Sequence, residues 1–208
     1  MNNERSHNMP DAIATLAQWD TPTICNALEL VTPERRGHGF TSEPFVLADP
    51  DMPAIIGHVR TARIRARAPS ADTAEEAAAK RLAYYDHVAN GGPSPSIVVI
   101  EDLDETPGYG AFWGEVNSAI HHGLGCLGCV TNGSFRDREE WAPGFQMLGG
   151  RVGPSHAYVH LVDFGGEVTV HGMTAKDGDI LHADRHGAVI VPKEAVTALP
   201  EAVALCMR

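Results

Sequence analysis

Hydrophobic and polar positions repeat along this chain with two different periods. Residues 71–90 carry a helical pattern, with Leu82, Tyr85 and Val88 near one face. Thr73 is placed to cap that helix, and Gly91-Gly92-Pro93 ends it. Residues 96–101 form a short apolar run, the pattern of a buried strand. Residues 111–122 then read as helix and 126–131 as strand, so this stretch is an α/β unit with short turns. Upstream, Asp20-Thr21-Pro22 reads as a helix start, with a capping side chain before a first-turn proline, and residues 23–30 continue it. Residues 32–54 are rich in Pro and Gly without a period and predict a long loop. Residues 58–66 are strand-like but basic, with Arg60, Arg63 and Arg65, which predicts an exposed edge strand blunted by charge.

The second half changes character. Residues 158–164, 167–171, 180–183 and 188–191 predict short strands. Gly165-Gly166, Asp177-Gly178 and Arg185-His186-Gly187 separate them as hairpin-like connections. Residues 193–207 follow Pro192 as a closing helix. Met1 to Pro10 is polar and reads as a disordered tail, leaving residues 11–208 as a single layered α/β domain.

The chain has 208 residues and a formal charge of −11, from 27 acidic against 16 basic side chains. Such a surface repels a phosphate backbone, which argues against a nucleic-acid partner. No run reaches the roughly 18 apolar residues needed to span a bilayer, and no apolar leader opens the chain, so a cytoplasmic location with no membrane partner is expected. An acidic protein that takes an anionic substrate must concentrate positive charge locally, and a divalent cation with one placed Arg would do so.

Candidate chemistry concentrates between residues 114 and 140. Glu115 opens the segment, and Arg136-Asp137 closes it just past an Asn132-Gly133 turn. One carboxylate, a guanidinium and a second carboxylate would meet at the mouth of the fold. Alone, Arg136-Asp137 also fits a helix-start Asp beside a surface Arg. Cys126 and Cys129 have C-x-x-C spacing, but they lie in an apolar strand and read as small buried residues. His156 and His160 are four apart, as are His182 and His186; both pairs read first as structural or solvent-facing, with substrate contact open for His156 and His160. His121-His122 suits favourable placement at a helix C-terminus.

Gly114-Glu115, followed some twenty residues later by Arg136-Asp137-x-x-Glu140, resembles the signature of the RraA-like family. The stretch 20–28 resembles that family's opening helix, and 177–192 its closing strand pair. The family includes class II, metal-dependent 4-hydroxy-4-methyl-2-oxoglutarate/4-carboxy-4-hydroxy-2-oxoadipate aldolases. The resemblance implies a swivelling β/β/α fold and a homotrimer or homohexamer with sites between subunits. It implies that Asp137 binds Mg²⁺ or Mn²⁺, and that Arg136 binds the substrate's carboxylate and oxo oxygen. It further implies that Gly114, Glu115, Val116 and Asn117 cradle a pyruvate portion, with Glu115 helping to activate water. The aldolases' acidic C-terminal extension has no secure match here, and the 153–160 segment is richer in His than their pattern.

The residue chemistry agrees with that expectation. Hard divalent ions prefer oxygen ligands and keep several waters. Arg136 offers a planar fork matched to a carboxylate. Such a site suits C–C cleavage of a 2-oxo acid through a pyruvate enolate, by retro-aldol reaction or oxaloacetate decarboxylation, with Glu115 or a bound water as base. Arg136, Glu115 and Asp137 are then the expected catalytic residues of a metal-dependent lyase. The competing expectations are a protein-binding regulator, like the ribonuclease-inhibiting namesake of the family, or an enzyme of the same scaffold acting on another hydroxy or sugar acid.

Overall fold

A computed structural model describes residues 9–207, with side chains from residue 12 onward. Helices α1 (Met9–Thr15) and α2 (Thr21–Val31) precede strands β1 (Val46–Leu47) and β2 (Ile55–Arg65). Helix α3 (Ala74–Asn90) leads to β3 (Ser96–Asp102), β4 (Ala111–Trp113) and helix α4 (Glu115–Gly123). Strands β5 (Cys126–Thr131), β6 (Ser134–Phe135), β7 (Gln146–Gly149) and β8 (Arg151–Val152) follow. Strands β9 (His160–Phe164), β10 (Val168–Val170), β11 (Met173–Ala175), β12 (Ile180–Asp184) and β13 (Gly187–Val191) precede helix α5 (Leu199–Cys206). Residues 1–8 of the expected tail lie outside the described residues, and its last two, Met9 and Pro10, belong to α1.

The main sheet runs β1-β7-β5-β3-β2-β12-β13, with β9 also on β2. Strands β2, β3, β5 and β7 are parallel, as βα units require, while β12 and β9 run antiparallel to β2. Strand β2 is long enough to pair twice on one side: its start takes β12 and its end takes β9. The expectation of an exposed edge is therefore wrong. Period 2 divides the core across the sheet. Ile55 and Val59 join one apolar cluster with Leu181 and Ile190. On the other face, Ile56 joins α1, α2 and α5, and Ala62 and Ile64 join α3 and Trp113.

The three arginines of β2 are absorbed in different ways. Arg60 is buried and donates to the carbonyls of Val59 and Pro93 at 3.0 and 2.9 Å. Arg63 makes a two-pronged pair with Asp163 on β9, at 2.7 and 2.5 Å. Arg65 is exposed, 3.9 Å from Asp104. An in-sheet arginine with a carbonyl or carboxylate to meet does not need an edge.

The helix ends follow their capping chemistry. Asp20 accepts from the Thr23 amide at 2.9 Å. Thr73 and Glu76 form a reciprocal capping box on α3. The buried positions of α3 are Tyr84 and Val88, whereas Leu82 is 69% exposed, so the apolar face is rotated from the expected one. Residues 111–122 divide into β4 and α4, broken at Gly114; the closing helix begins only at Leu199. Of the three expected hairpin connections, the turn at Arg185–His186 closes one, β12–β13. A further hairpin, β10–β11, turns on His171-Gly172, both at positive φ, as a two-residue turn of this hand requires.

Cys126 and Cys129 are buried, as expected, and burial pushes the Cys126 thiol up to about 11. Ladder irregularity between β3 and β5 lets both thiols join one cluster despite their odd spacing. His121 departs from its expected role as a charge at a helix end. It is fully buried, touches the Tyr84 hydroxyl at 2.8 Å and the Asn117 carbonyl at 2.7 Å, and burial lowers its pKa to about 4. It is a neutral core imidazole.

Candidate active site

Strands β4, β6 and β8 form a small parallel sheet beside the main one. Trp113 and Phe135 are ladder partners, so the next residues on each strand, Gly114 and Arg136, emerge side by side. The Arg136 amide donates to the Trp113 carbonyl at 3.1 Å and fixes this junction.

Asp137 adopts the left-handed conformation, φ 57° and ψ 48°. Asp tolerates that region better than most residues, and such strain gathers at functional sites. The bend turns its carboxylate back toward the start of α4. Asp137 Oδ2 accepts from the Glu115 amide at 3.3 Å and lies 3.3 Å from Arg136 Nε. A Cβ on Gly114 would stand 2.4 Å from the same oxygen, so only glycine leaves room for this carboxylate. The φ of Gly114, −173°, is open to any residue; here the glycine answers to space, not to backbone strain.

The N-terminus of α4 therefore takes a carboxylate from another element where its own cap residue has no side chain. The Val116 and Asn117 amides have no acceptor inside the helix and remain for a ligand. The Asn117 side chain is committed elsewhere: it donates to the Phe112 carbonyl at 2.5 Å and accepts from the Tyr85 hydroxyl at 3.3 Å.

These groups line a cleft of about 380 Å³. Gly114, Val116, Asn117, Arg136 and Asp137 all border it. Glu115 does not; its side chain is exposed, and its amide is what meets Asp137. Helix α3 adds Lys80, Arg81 and Tyr85 to the lining, and residues 156–161 contribute His156 and His160. Lys80 is paired with Asp72 at 2.5 Å, and this hydrogen bond holds the Asp72 carboxyl below its usual range. Burial raises the Tyr85 phenol. Three cations against two carboxylates give the cleft a positive balance, on a chain of net charge −11. Lys80 and Arg81 carried no sequence signal of this role, since charges on an amphipathic helix read as its solvated face.

The fit to a divalent cation can be judged from the donors. Among the described residues no three His, Cys, Asp or Glu side chains gather as a ligand set. Beside the start of α4 the cleft offers the carboxylate of Asp137, while its other carboxylate, Asp72, is paired with Lys80. That donor set fits Mg²⁺ or Mn²⁺, which accept few protein oxygens and retain water; it does not fit zinc, which needs three or four protein ligands.

Among the described residues no helix is long and apolar enough to cross a membrane. Solved structures share the architecture at low identity. One, described among novel cellulases from microbes associated with the gut ecosystem, has a TM-score of 0.79 at 13% identity, over 100% of this chain and 88% of its own. RraAS2 of Streptomyces coelicolor, described as an unusual member of the RNase ES inhibitor RraA protein family, has a TM-score of 0.70 at 19% identity, over 95% of this chain and 90% of its own. The RNA-processing inhibitor RraA from Thermus thermophilis has a TM-score of 0.56 at 19% identity, over 79% and 90%. These likenesses establish the fold alone. No curated protein matches by sequence. The family model for Aldolase/RraA matches residues 21–190, a span holding α2, the whole cleft and the β12–β13 hairpin up to Ile190. The chain belongs to the RraA-like family.

Proposed function

We propose that this protein is a divalent-metal-dependent lyase that cleaves a C–C bond of a 2-oxo acid, either a 4-hydroxy-2-oxo acid or oxaloacetate. The observation that carries this reading is Asp137: a strained carboxylate, admitted by Gly114 and flanked by Arg136, on the wall of a positively balanced cleft. A structural surface Asp has no need of that arrangement.

In this reading Asp137 holds Mg²⁺ or Mn²⁺, which supplies Lewis-acid polarisation of the 2-oxo group. Arg136 Nε is occupied by Asp137, and the rest of its fork is free to take the substrate carboxylate. The Val116 and Asn117 amides offer fixed donors to oxygen on which negative charge develops. Tyr85 and Phe112 set Asn117, and with it the first turn of α4, in place. The substrate's remaining part extends toward α3, because a cleft of about 380 Å³ is much larger than a six-heavy-atom pyruvate unit requires. A homotrimer or homohexamer, with the open side of the cleft covered by a second copy, belongs to the same proposal.

The test is pyruvate release from a panel of 4-hydroxy-2-oxo acids and oxaloacetate, with Mg²⁺ or Mn²⁺ and with excess chelator. Release that needs the metal supports the reading. An inert protein across the panel favours the second reading, a protein-binding regulator, to which the Streptomyces coelicolor and Thermus thermophilis neighbours lend weight through their described inhibitor roles.

A further inference from the structure

Cleavage of a 2-oxo acid next to its oxo group requires a proton carrier, and the groups around Asp137 do not supply one. Arg136 stays protonated, the α4 amides only donate, and the Glu115 carboxylate lies off the cleft lining. The cleft lining also carries two imidazoles, His156 and His160.

Their tautomers can be read from their partners. His160 Nδ1 lies 2.8 Å from the Tyr158 carbonyl, and His156 Nδ1 lies 3.0 Å from the Ala157 carbonyl. A carbonyl oxygen only accepts, so each Nδ1 carries the hydrogen. In the neutral ring the lone pair is then on Nε2, and neither Nε2 bonds another described residue. An imidazole in a cleft lining, held by Nδ1–H on a carbonyl with Nε2 unbonded, has the tautomer a proton-transferring histidine uses.

The two differ in how firmly they are held. His156 is exposed on a loop, beside Ala157 at φ 46°. His160 is half-buried and opens β9, where the ladder sets it opposite Arg65 of β2. The segment leading to it is clamped by the Ala111 amide on the Ser155 carbonyl and the Tyr158 amide on the Ala66 carbonyl. The charged and titratable groups sharing the cleft with His160 are Asp72, Lys80, Arg81 and Tyr85 from the α3 side, Arg136 and Asp137 from the β6 side, and His156. Lys80 and Asp72 neutralise each other, so neither serves as the base.

Resting on the lyase reading, we infer that His160 is the proton-carrying catalytic residue of this cleft. Nε2 takes the proton from the C4 hydroxyl as the C3–C4 bond breaks. The bond's electron pair passes to the pyruvate unit as its enolate, and C4 leaves as a carbonyl product. The same Nε2–H then gives its proton to C3, which yields pyruvate and returns the neutral ring. With oxaloacetate CO₂ leaves instead, and the ring, first protonated at Nε2 by solvent, gives that proton to C3 and returns to the neutral form.

The experiment is exchange of the pyruvate methyl protons with deuterated solvent, followed by NMR on the Mn²⁺- or Mg²⁺-supplemented protein, alongside turnover on the panel. His160→Gln is expected to slow both exchange and turnover on the order of 10²-fold or more, with KM little changed. Added imidazole is expected to restore His160→Ala, an effect that a structural role would not give. Binding of oxalate, an enolate mimic, is expected to shift the His160 ring resonance in the wild type and to persist in His160→Gln by calorimetry. A wild type inert in both exchange and lysis overturns the lyase reading and this inference together. An active wild type with a folded His160→Gln of equal rate, or a His160→Ala deaf to imidazole, overturns the inference alone.

Discussion

Gly114→Ala is the sharpest test of how this site is built, because it adds one methyl group and no charge. The new Cβ would meet Asp137 Oδ2 at 2.4 Å and Arg136 Cγ at 3.4 Å. Ordinary carbon–oxygen contact begins near 3.4 Å, so the carboxylate must retreat by about 1 Å. That movement breaks the 3.3 Å bond from the Glu115 amide and the 3.3 Å contact with Arg136 Nε. Alanine accepts the extended backbone at this position, so the fold survives. Replacing glycine at a helix N-cap by alanine costs about 1 kcal/mol, or roughly 2–4 °C in a chain of this size. A misplacement of about 1 Å at a reacting centre costs on the order of 10² in rate, about 2.7 kcal/mol. The rate should therefore fall much further than the stability. Pyruvate release coupled to a dehydrogenase measures the first, and a thermal melt the second. A folded variant with wild-type turnover would show that the Asp137 carboxylate has no part in the chemistry.

Asp137→Ala should abolish turnover while shifting stability by no more than about 1 kcal/mol, read by the same two assays. Arg136→Lys keeps the charge but loses the fork; kcat/KM should fall on the order of 10²-fold, with KM raised and kcat lowered in steady-state kinetics. Light scattering at micromolar concentration should give a homotrimer or homohexamer; a 22.3 kDa monomer would refute that. His121 predicts a pH effect on stability alone. Its folded pKa, about 4, lies below the unfolded 6.5, so the unfolded chain binds more protons between those values. Stability should rise from pH 4 to 6.5 by up to about 3 kcal/mol and then level off, and His121→Gln should remove that slope in urea titrations.

What the sequence revealed depended on whether local chemistry determined the outcome. Asp20 and Thr73 cap helices through atoms three residues away, so their roles were readable from spacing alone. The arginines of β2 were misread because their partners are distant: Asp163 lies 100 residues from Arg63, and Pro93 lies 33 from Arg60. Leu82 failed for a related reason. Periodicity identifies a face, but β9 and α4 decide which face is covered, and they select Tyr84 and Val88. His121 looked like a charge at a helix end because the sequence cannot show Tyr84 and Trp113 closing over it.

The motif at the candidate site has a spacing that the fold explains. Between Gly114 and Arg136 the chain must leave β4, run back along α4, return through β5 and turn at Asn132-Gly133 into β6. Nine residues of α4 travel about 13 Å at 1.5 Å each, and the six of β5, at about 3.3 Å each, more than return that distance. Parallel pairing of Trp113 with Phe135 then sets the next residues adjacent. A shorter interval could not complete the crossover, and a strand slipped by one residue would turn Arg136 to the other face. The spacing therefore records a βαβ crossover, while Gly114 and the left-handed Asp137 make the two ends fit together. Lys80, Arg81 and His160 lie outside that crossover, on α3 and β9, so no spacing rule ties them to it. They reach the cleft because α3 packs on β9 and β9 pairs with the far end of β2, a long-range consequence of β2's eleven-residue length.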